Sequence, residues 1–387
     1  MTIYFDNSAT SPVDPRVAEA MALWHAKAFG NPSSLHSLGR AARESVETAR
    51  ERVAALIGAK PKEIVFVASG TEADNLALAG AVAASPPHRD GVIVSAIEHP
   101  AVLETAKALQ GRGASLTLAP VDADGLADPD WFRRHVNATT RIVSLMAANN
   151  VIGTVQPIAE VAAIAREAGA LFHTDAVQAV GRLPIDVGAA PIDLLSISAH
   201  KFYGPKGVGA LFVREGVDLA PIVHGGGQER GLRSATENVA GIVGFGLAAE
   251  LAREEGAADN VRLVALRERL INGVFAACPQ AYLIGHRGRR LPGHVALGFS
   301  GQEGEAIRLM LALDEEGIAV STGSACSASH AAEPSYVLRA LGFDAFRARG
   351  AVRLTLGRFN TEEQVDQVVA VLPGLVGGLR RIATARS

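Results

Sequence analysis

The chain has 387 residues, room for two or three folding units at roughly 150 residues each. Its 48% hydrophobic and 20% charged content excludes an intrinsically disordered chain. With 37 basic and 40 acidic side chains the formal charge is −3, so the broad positive field that duplex nucleic acid requires is missing, and small-molecule chemistry is the better expectation.

The N-terminus, Met1-Thr2-Ile3-Tyr4-Phe5-Asp6, has no basic region ahead of an apolar run; no secretory signal and a cytoplasmic location are expected. Leu35, Leu38, Ala42, Val46, Ala49, Val53 and Leu56 recur at steps of three or four, which predicts an amphipathic helix ended by Gly58 and Pro61. Short apolar runs at 64–67, 91–95, 141–146, 170–174, 193–198 and 208–213 then alternate with helical patterns, the form of a mostly parallel sheet between helices. The apolar stretch 239–249 is too short to cross a membrane and reads as a buried helix. Charge density rises through Ala252-Arg253-Glu254-Glu255-Gly256, a plausible boundary, and a new helix is expected over 259–277. Strands near 294–299, 317–320 and 351–356, with helices near 303–313 and 361–372, predict a smaller α/β domain. The basic loop His286-Arg287-Gly288-Arg289-Arg290 reads as solvated.

Ligands in open α/β sheets bind beyond the carboxyl ends of the strands, and there the sequence is unusually polar. Asn149-Asn150, His173-Thr174-Asp175 with Gln178, Ser198-Ala199-His200-Lys201, Ser69-Gly70-Thr71-Glu72 and Glu98-His99-Pro100 each follow an apolar run. An amine after one strand, a carboxylate after another and a glycine-containing helix start fit pyridoxal phosphate. Its aldehyde, ring nitrogen and phosphate need Lys201, Asp175 and the Ser69–Gly70–Thr71 turn respectively. His99 suits stacking on the ring and proton relay. The plainer readings are a solvated Lys201, helix caps at Asp175, Ser69 and Thr71, and a turn at His99. A metal bound by His173, Asp175 and His200 is disfavoured by the neighbouring Lys201 cation.

Two cysteines are too few for a disulfide framework. Cys278 follows an apolar helical turn and reads as buried and inert, whereas Cys326 lies among small residues, 321–329, without apolar periodicity.

At Ser198-Ala199-His200-Lys201-Phe202-Tyr203-Gly204-Pro205-Lys206-Gly207 the sequence resembles the pyridoxal-phosphate cysteine desulfurases of the NifS/IscS type, within the class V aminotransferase family. The likeness continues in order through Tyr4-Phe5-Asp6-Asn7-Ser8-Ala9-Thr10, Gly70-Thr71-Glu72-Ala73-Asp74-Asn75, Asn149-Asn150-Val151-Ile152-Gly153-Thr154 and His173-Thr174-Asp175-Ala176-Val177-Gln178. It extends to His224-Gly225-Gly226-Gly227-Gln228-Glu229-Arg230, Ser321-Thr322-Gly323-Ser324-Ala325-Cys326 and Arg353-Leu354-Thr355-Leu356-Gly357. Ser69 ahead of Gly70, Val151 and Ala235 depart from the family pattern.

The resemblance implies the fold type I transferase architecture: a large pyridoxal-phosphate-binding domain over 15–257 and a small α/β domain made of 1–14 and 258–387. It implies Lys201 as the Schiff-base lysine and proton carrier, Asp175 against the pyridinium nitrogen, Gln178 on the ring hydroxyl and His99 over the ring. Thr71 with Gly70, Ser198 and His200 would hold the phosphate, and Thr236 would reach the phosphate of a neighbouring subunit. Asn150 and Arg353 would fix the substrate carboxylate. Cys326 would take the sulfur of L-cysteine as a persulfide, leaving L-alanine, and pass it to an acceptor such as an iron–sulfur scaffold protein. The implied assembly is a homodimer. The rival readings are a selenocysteine lyase or other class V aminotransferase, and, from a different class, a cofactor-free scaffold.

Overall fold

The computed structural model describes residues 2–86, 88–323 and 334–384. The chain opens with the strand Ile3–Tyr4 (β1) and the helices Pro15–Ala26 (α1) and Ser37–Leu56 (α2). Strands and helices then alternate: Ile64–Val67 (β2), Gly70–Ala83 (α3), Gly91–Ser95 (β3), Pro100–Gln110 (α4), Ser115–Ala119 (β4), Pro129–His135 (α5), Thr140–Ser144 (β5), Ile158–Glu167 (α6) and Leu171–Asp175 (β6). Leu194–Ser198 (β7) and Gly209–Val213 (β8) complete a seven-stranded sheet of order β2-β8-β7-β6-β5-β3-β4. β8 runs against both its neighbours and the other pairings are parallel.

Every residue of β2, β7 and β8 is buried, as unbroken apolar runs covered by helices on both faces must be. The edge strand β4 was not expected: Ser115-Leu116-Thr117-Leu118-Ala119 is largely solvent-facing and carries too weak an apolar signal. The α2 stripe behaves as expected from Ala42 onward, but Leu35 precedes the helix and is 89% exposed. Gly58 closes α2 at φ +69°, a backbone conformation that suits glycine.

The next helix, Val239–Ala277 (α7), runs unbroken for 39 residues through the segment where a boundary was expected. Ala252, Arg253, Glu254 and Glu255 are good helix formers, so their charge marks a solvated turn of helix and not a linker. The first half of α7 gives Ile242, Phe245 and Ala249 to a core shared with Val46, Val53, Phe66, Phe172 and Ile197. The second half gives Leu266, Leu270 and Val274 to a separate core with Phe5, Val295, Leu354 and Leu372.

The chain around that second core continues with Ala281–Leu283 (β9), His294–Phe299 (β10), Ala306–Glu315 (α8), Ile318–Ala319 (β11), Ser321–Thr322 (β12), Tyr336–Ala340 (α9), Val352–Thr355 (β13) and Glu362–Thr384 (α10), of which α9 packs instead on a cluster with Ile97, Met146 and Ile152. One sheet has the order β12-β13-β10-β9, and β1 pairs in parallel with β11, tying the N-terminus to this end of the molecule. α10 continues through Pro373, past the expected stop at 372. Val365, Val368, Leu372, Val376 and Leu379 keep one stripe buried across the proline, and that packing outweighs the ~3 kcal/mol an interior proline costs. Cys278 is buried at the end of α7, where burial pushes its thiol pKa up, consistent with an inert role.

Candidate active site

The carboxyl ends of β2, β3, β5, β6 and β7 open onto one cavity of ≈ 460 Å³. Gly70, Thr71, His99, Asn150, Asp175, Gln178, Ser198, His200, Lys201 and Arg353 all line it. Five separate sequence segments and a strand of the second core therefore converge, as expected for groups placed after parallel strands. Thr236 is exposed and lies outside this lining. Cys326 lies outside the described residues.

Each position follows from its local fold. Ser69 caps α3, its Oγ accepting from Glu72 N at 3.1 Å, which leaves the Gly70–Thr71 end of the helix facing the cavity. A Cβ on Gly70 would lie 2.7 Å from Val177 Cγ2, so this helix end meets the turn after β6 only because residue 70 has no side chain. His99 caps α4 with Nδ1, accepting from Ala101 N at 3.1 Å; in the neutral ring the proton is then on Nε2. Asp175 ends β6, its Oδ1 accepting from Val177 N at 2.9 Å. Lys201 Nζ donates to Ser8 O at 2.6 Å and Ala9 O at 2.8 Å. The cap named as a plainer reading for Ser69 is thus present, and His99, read as a turn, proves to cap α4; both caps orient these groups at the cavity instead of competing with a role there.

Three buried acids gather here: Asp175 and Asp74, which line the cavity, and Glu98. Burial raises the pKa of all three, Glu98 to about 8 and Asp74 well above the usual carboxylate range, where the Asp175 charge adds to the effect. In Asp175 that rise is opposed by nearby His99 and Lys201, whereas among the described residues no cation offsets Asp74 or Glu98. Glu98 Oε1 accepts from Ser95 Oγ at 2.8 Å and Met146 N at 2.7 Å.

His173 is buried between Ser144 Oγ at 2.8 Å and Ser196 Oγ at 3.0 Å, and burial lowers its pKa to about 3. Both its nitrogens are engaged by hydroxyls, which removes it from the metal set considered from sequence. His200 Nδ1 lies 3.1 Å from Thr10 Oγ1, and burial, then Lys201 and Lys206, lower its pKa to about 4.

Arg353 is 2% exposed at its side chain, with Nη1 donating to Asn150 O and Nη2 to Asp6 Oδ1, both at 2.8 Å. Its Nε is buried without a partner, and so is Oε1 of Gln178, whose Nε2 donates to Ser8 O at 2.9 Å. Sequence reading gave no role to Ser8, Asp74 or Lys206, which also line the cavity. Ser8 and Ala9 act through backbone carbonyls, which leave no sequence signal. Asp74 had one, an acid among the buried Ala73, Leu76 and Ala77 of α3.

The class-V aminotransferase profile matches residues 3–368. The chain is 47% identical over 381 residues to the cysteine desulfurase IscS of Methanosarcina thermophila, covering 98% of this chain and 93% of that one. Among solved structures, a NifS-like protein superposes with a TM-score of 0.91 at 39% identity, over 97% of this chain and all 100% of the other. The structure of SspA in complex with cysteine has a TM-score of 0.82 at 35% identity, over 93% of this chain and 100% of the other. The chain belongs to the class-V aminotransferase family, whose members are pyridoxal-phosphate enzymes.

The site suits that cofactor on its own chemistry. It offers an amine, a buried carboxylate beside His99 and Lys201, a helix start beside Ser198, His200 and Lys206, and an unsatisfied amide oxygen at Gln178 that can accept from a ring hydroxyl. Among the described residues no helix is long and apolar enough to cross a membrane.

Proposed function

We infer that this protein is a pyridoxal-phosphate-dependent cysteine desulfurase: L-cysteine and the Cys326 thiol give L-alanine and a Cys326 persulfide. The observation that carries this reading is the meeting of Lys201, Asp175, His99 and Arg353 around one cavity in a chain 47% identical to a cysteine desulfurase. When bound, pyridoxal phosphate supplies an aldehyde for the amino group and an electron sink for the pair left at Cα.

The chain's own residues do the rest. Lys201 is the amine that holds the cofactor and then moves the Cα proton. Asp175 would pair with the ring nitrogen, the nearby His99 and Lys201 favouring its charged form. His99, with its Nδ1 tied to the backbone, presents Nε2 as the proton-handling edge. Thr71, Gly70, Ser198 and His200 hold the phosphate, and Gln178 the ring hydroxyl. Asn150 and Arg353 bind the substrate carboxylate, with the Nε of Arg353 still open to it. The Cys326 thiolate attacks the substrate sulfur, the Cβ–S bond breaks, and the electron pair and a proton go to the carbon that becomes the alanine methyl.

Two further features belong to this reading. The division into 15–257 and a smaller unit of 1–14 with 258–387 is supported by two cores that share α7. Homodimerisation, with Thr236 reaching the partner's phosphate, is supported by the exposure of Thr236 and of Leu23, Phe29 and Leu35. The persulfide then passes to a sulfur-acceptor protein such as an iron–sulfur scaffold.

Brief exposure of the cofactor-loaded protein to L-cysteine, followed by peptide mass spectrometry, tests the central claim. One added sulfur on Cys326 with release of L-alanine is expected. Alanine release that persists in Cys326→Ser would favour a lyase or aminotransferase, and a colourless protein with no borohydride-trapped adduct on Lys201 would favour a scaffold.

A further inference from the structure

The Arg353 guanidinium is held from two sides before any substrate arrives. Nη1 donates to the Asn150 carbonyl and Nη2 to Asp6 Oδ1, both at 2.8 Å, while Nε is left buried without a partner. Asp6 is itself well fixed. Its backbone bridges to Thr355 on β13, the strand that carries Arg353, and Asn7 N donates to Thr355 O at 3.2 Å. Tyr4 Oη closes the turn by donating to Asp6 O at 3.1 Å and Thr10 O at 2.8 Å. The neighbouring imidazole of His294 is buried and uncharged, lying between Ser8 Oγ at 3.2 Å and Val151 O at 2.9 Å, so it supplies no balancing charge. The carboxylate of Asp6 is 20% exposed against 2% for Arg353, placing the acid nearer solvent than the cation it holds.

We propose that Asp6 is a positioning residue for amino-acid recognition: its carboxylate fixes the orientation of Arg353 and offsets that cation's charge, so an incoming α-carboxylate is bound in one direction but only moderately tightly. The proposal rests on Arg353 being the carboxylate-binding group. A fixed guanidinium gives up little freedom when a second carboxylate docks, which favours precise placement. The same acid also repels that second carboxylate, which limits affinity and lets product leave. Asp6 opposes substrate by charge and assists it by geometry, and two substitutions separate these effects. Asp6→Asn keeps an oxygen acceptor for Nη2 and removes the charge. Asp6→Ala removes both.

The test uses the cofactor-loaded protein with L-alanine as probe, its dissociation constant read from the visible spectrum, and ethylamine as the same molecule without the carboxylate. Asp6→Asn is expected to bind L-alanine about three- to tenfold more tightly than the parent. Asp6→Ala is expected to bind it about tenfold more weakly than Asp6→Asn does, the effect of losing a hydrogen bond to a charged group. Ethylamine affinity should be unchanged in both, since a merely structural effect would move the two ligands together.

Arg353→Gln is the control and should weaken L-alanine by about 100-fold or more. If Arg353→Gln has this effect but Asp6→Asn binds L-alanine no better than the parent, the role of Asp6 is wrong and that of Arg353 stands. If Arg353→Gln leaves L-alanine binding unchanged, the carboxylate assignment itself falls, and this proposal with it. Should Asp6→Ala not accumulate, Asp6→Asn against the parent decides alone.

Discussion

Arg50 and Glu229 form a two-pronged ion pair inside the protein, Nη1 to Oε2 at 2.8 Å and Nη2 to Oε1 at 2.9 Å. Glu229 also accepts from Phe66 N at 2.9 Å, and Arg50 donates to Ile64 O at 2.8 Å, so α2, β2 and the loop leading to α7 share one buried polar knot. The positive φ of Glu229, +47°, shows how closely the loop is drawn to this contact.

Breaking that knot from one side leaves a buried charge with only an outer partner. Glu229→Ala should destabilise the protein by about 3 kcal/mol, read as a lowered urea midpoint, because Arg50 then loses its buried counter-ion and keeps only the half-exposed Glu47, 3.1 Å from its Nε. A loss under about 1 kcal/mol, the size typical of an exposed pair, would show that Arg50 reaches water.

Lys201→Ala should abolish the borohydride-trapped cofactor adduct and L-alanine release. Asp175→Asn should retain colour but lower the release rate on the order of 10²- to 10³-fold, the usual scale for losing one preorganised electrostatic partner. Borohydride trapping, absorbance spectra and alanine assays on the purified variants check both.

Glu98 supplies a pH signature. Its pKa is about 8 folded against its ordinary 4.5, so the folded state holds the proton across that window. Its contribution to stability is present in full below about 4.5 and is lost as pH rises towards about 8, at about 1.4 kcal/mol per unit. Glu98→Gln removes this term. The stability of the variant relative to the parent should therefore climb between pH 5 and pH 8 in paired urea titrations, with a rise of roughly 1 kcal/mol or more as the criterion. A pH-independent difference would mean Glu98 is ionised in the fold.

Cys326→Ser should keep the cofactor colour and bind L-alanine normally while losing persulfide formation. Spectral titration and mass spectrometry on the same preparation separate the two properties.

Much of the cavity was legible because its groups fall after apolar runs, where a parallel sheet must present them. Asp175, His99, Ser198 and Lys201 are legible that way, and Thr71 at a helix start. What escaped depends on partners remote in the chain. Lys201 is held by the carbonyls of Ser8 and Ala9, and Arg353 by Asp6, contacts spanning 193, 192 and 347 positions that no local pattern encodes. α7 was split in two because charge was taken as a break, although Ala252, Arg253 and Glu254 favour helix. α10 runs past the expected end at 372 because its apolar stripe continues through Val376 and Leu379.

The unbroken α7 makes the molecule behave as if built on a ruler. Where two cores are joined by a loop, a residue gained or lost is absorbed by slack; along a helix it is not. One insertion between Leu251 and Leu263 would push the far half out by about 1.5 Å and turn it by roughly 100° about the axis. Arg353 would be carried with it, away from the amine and carboxylate on the opposite side of the cavity. Length variation in this lineage should therefore collect in surface loops and spare this helix.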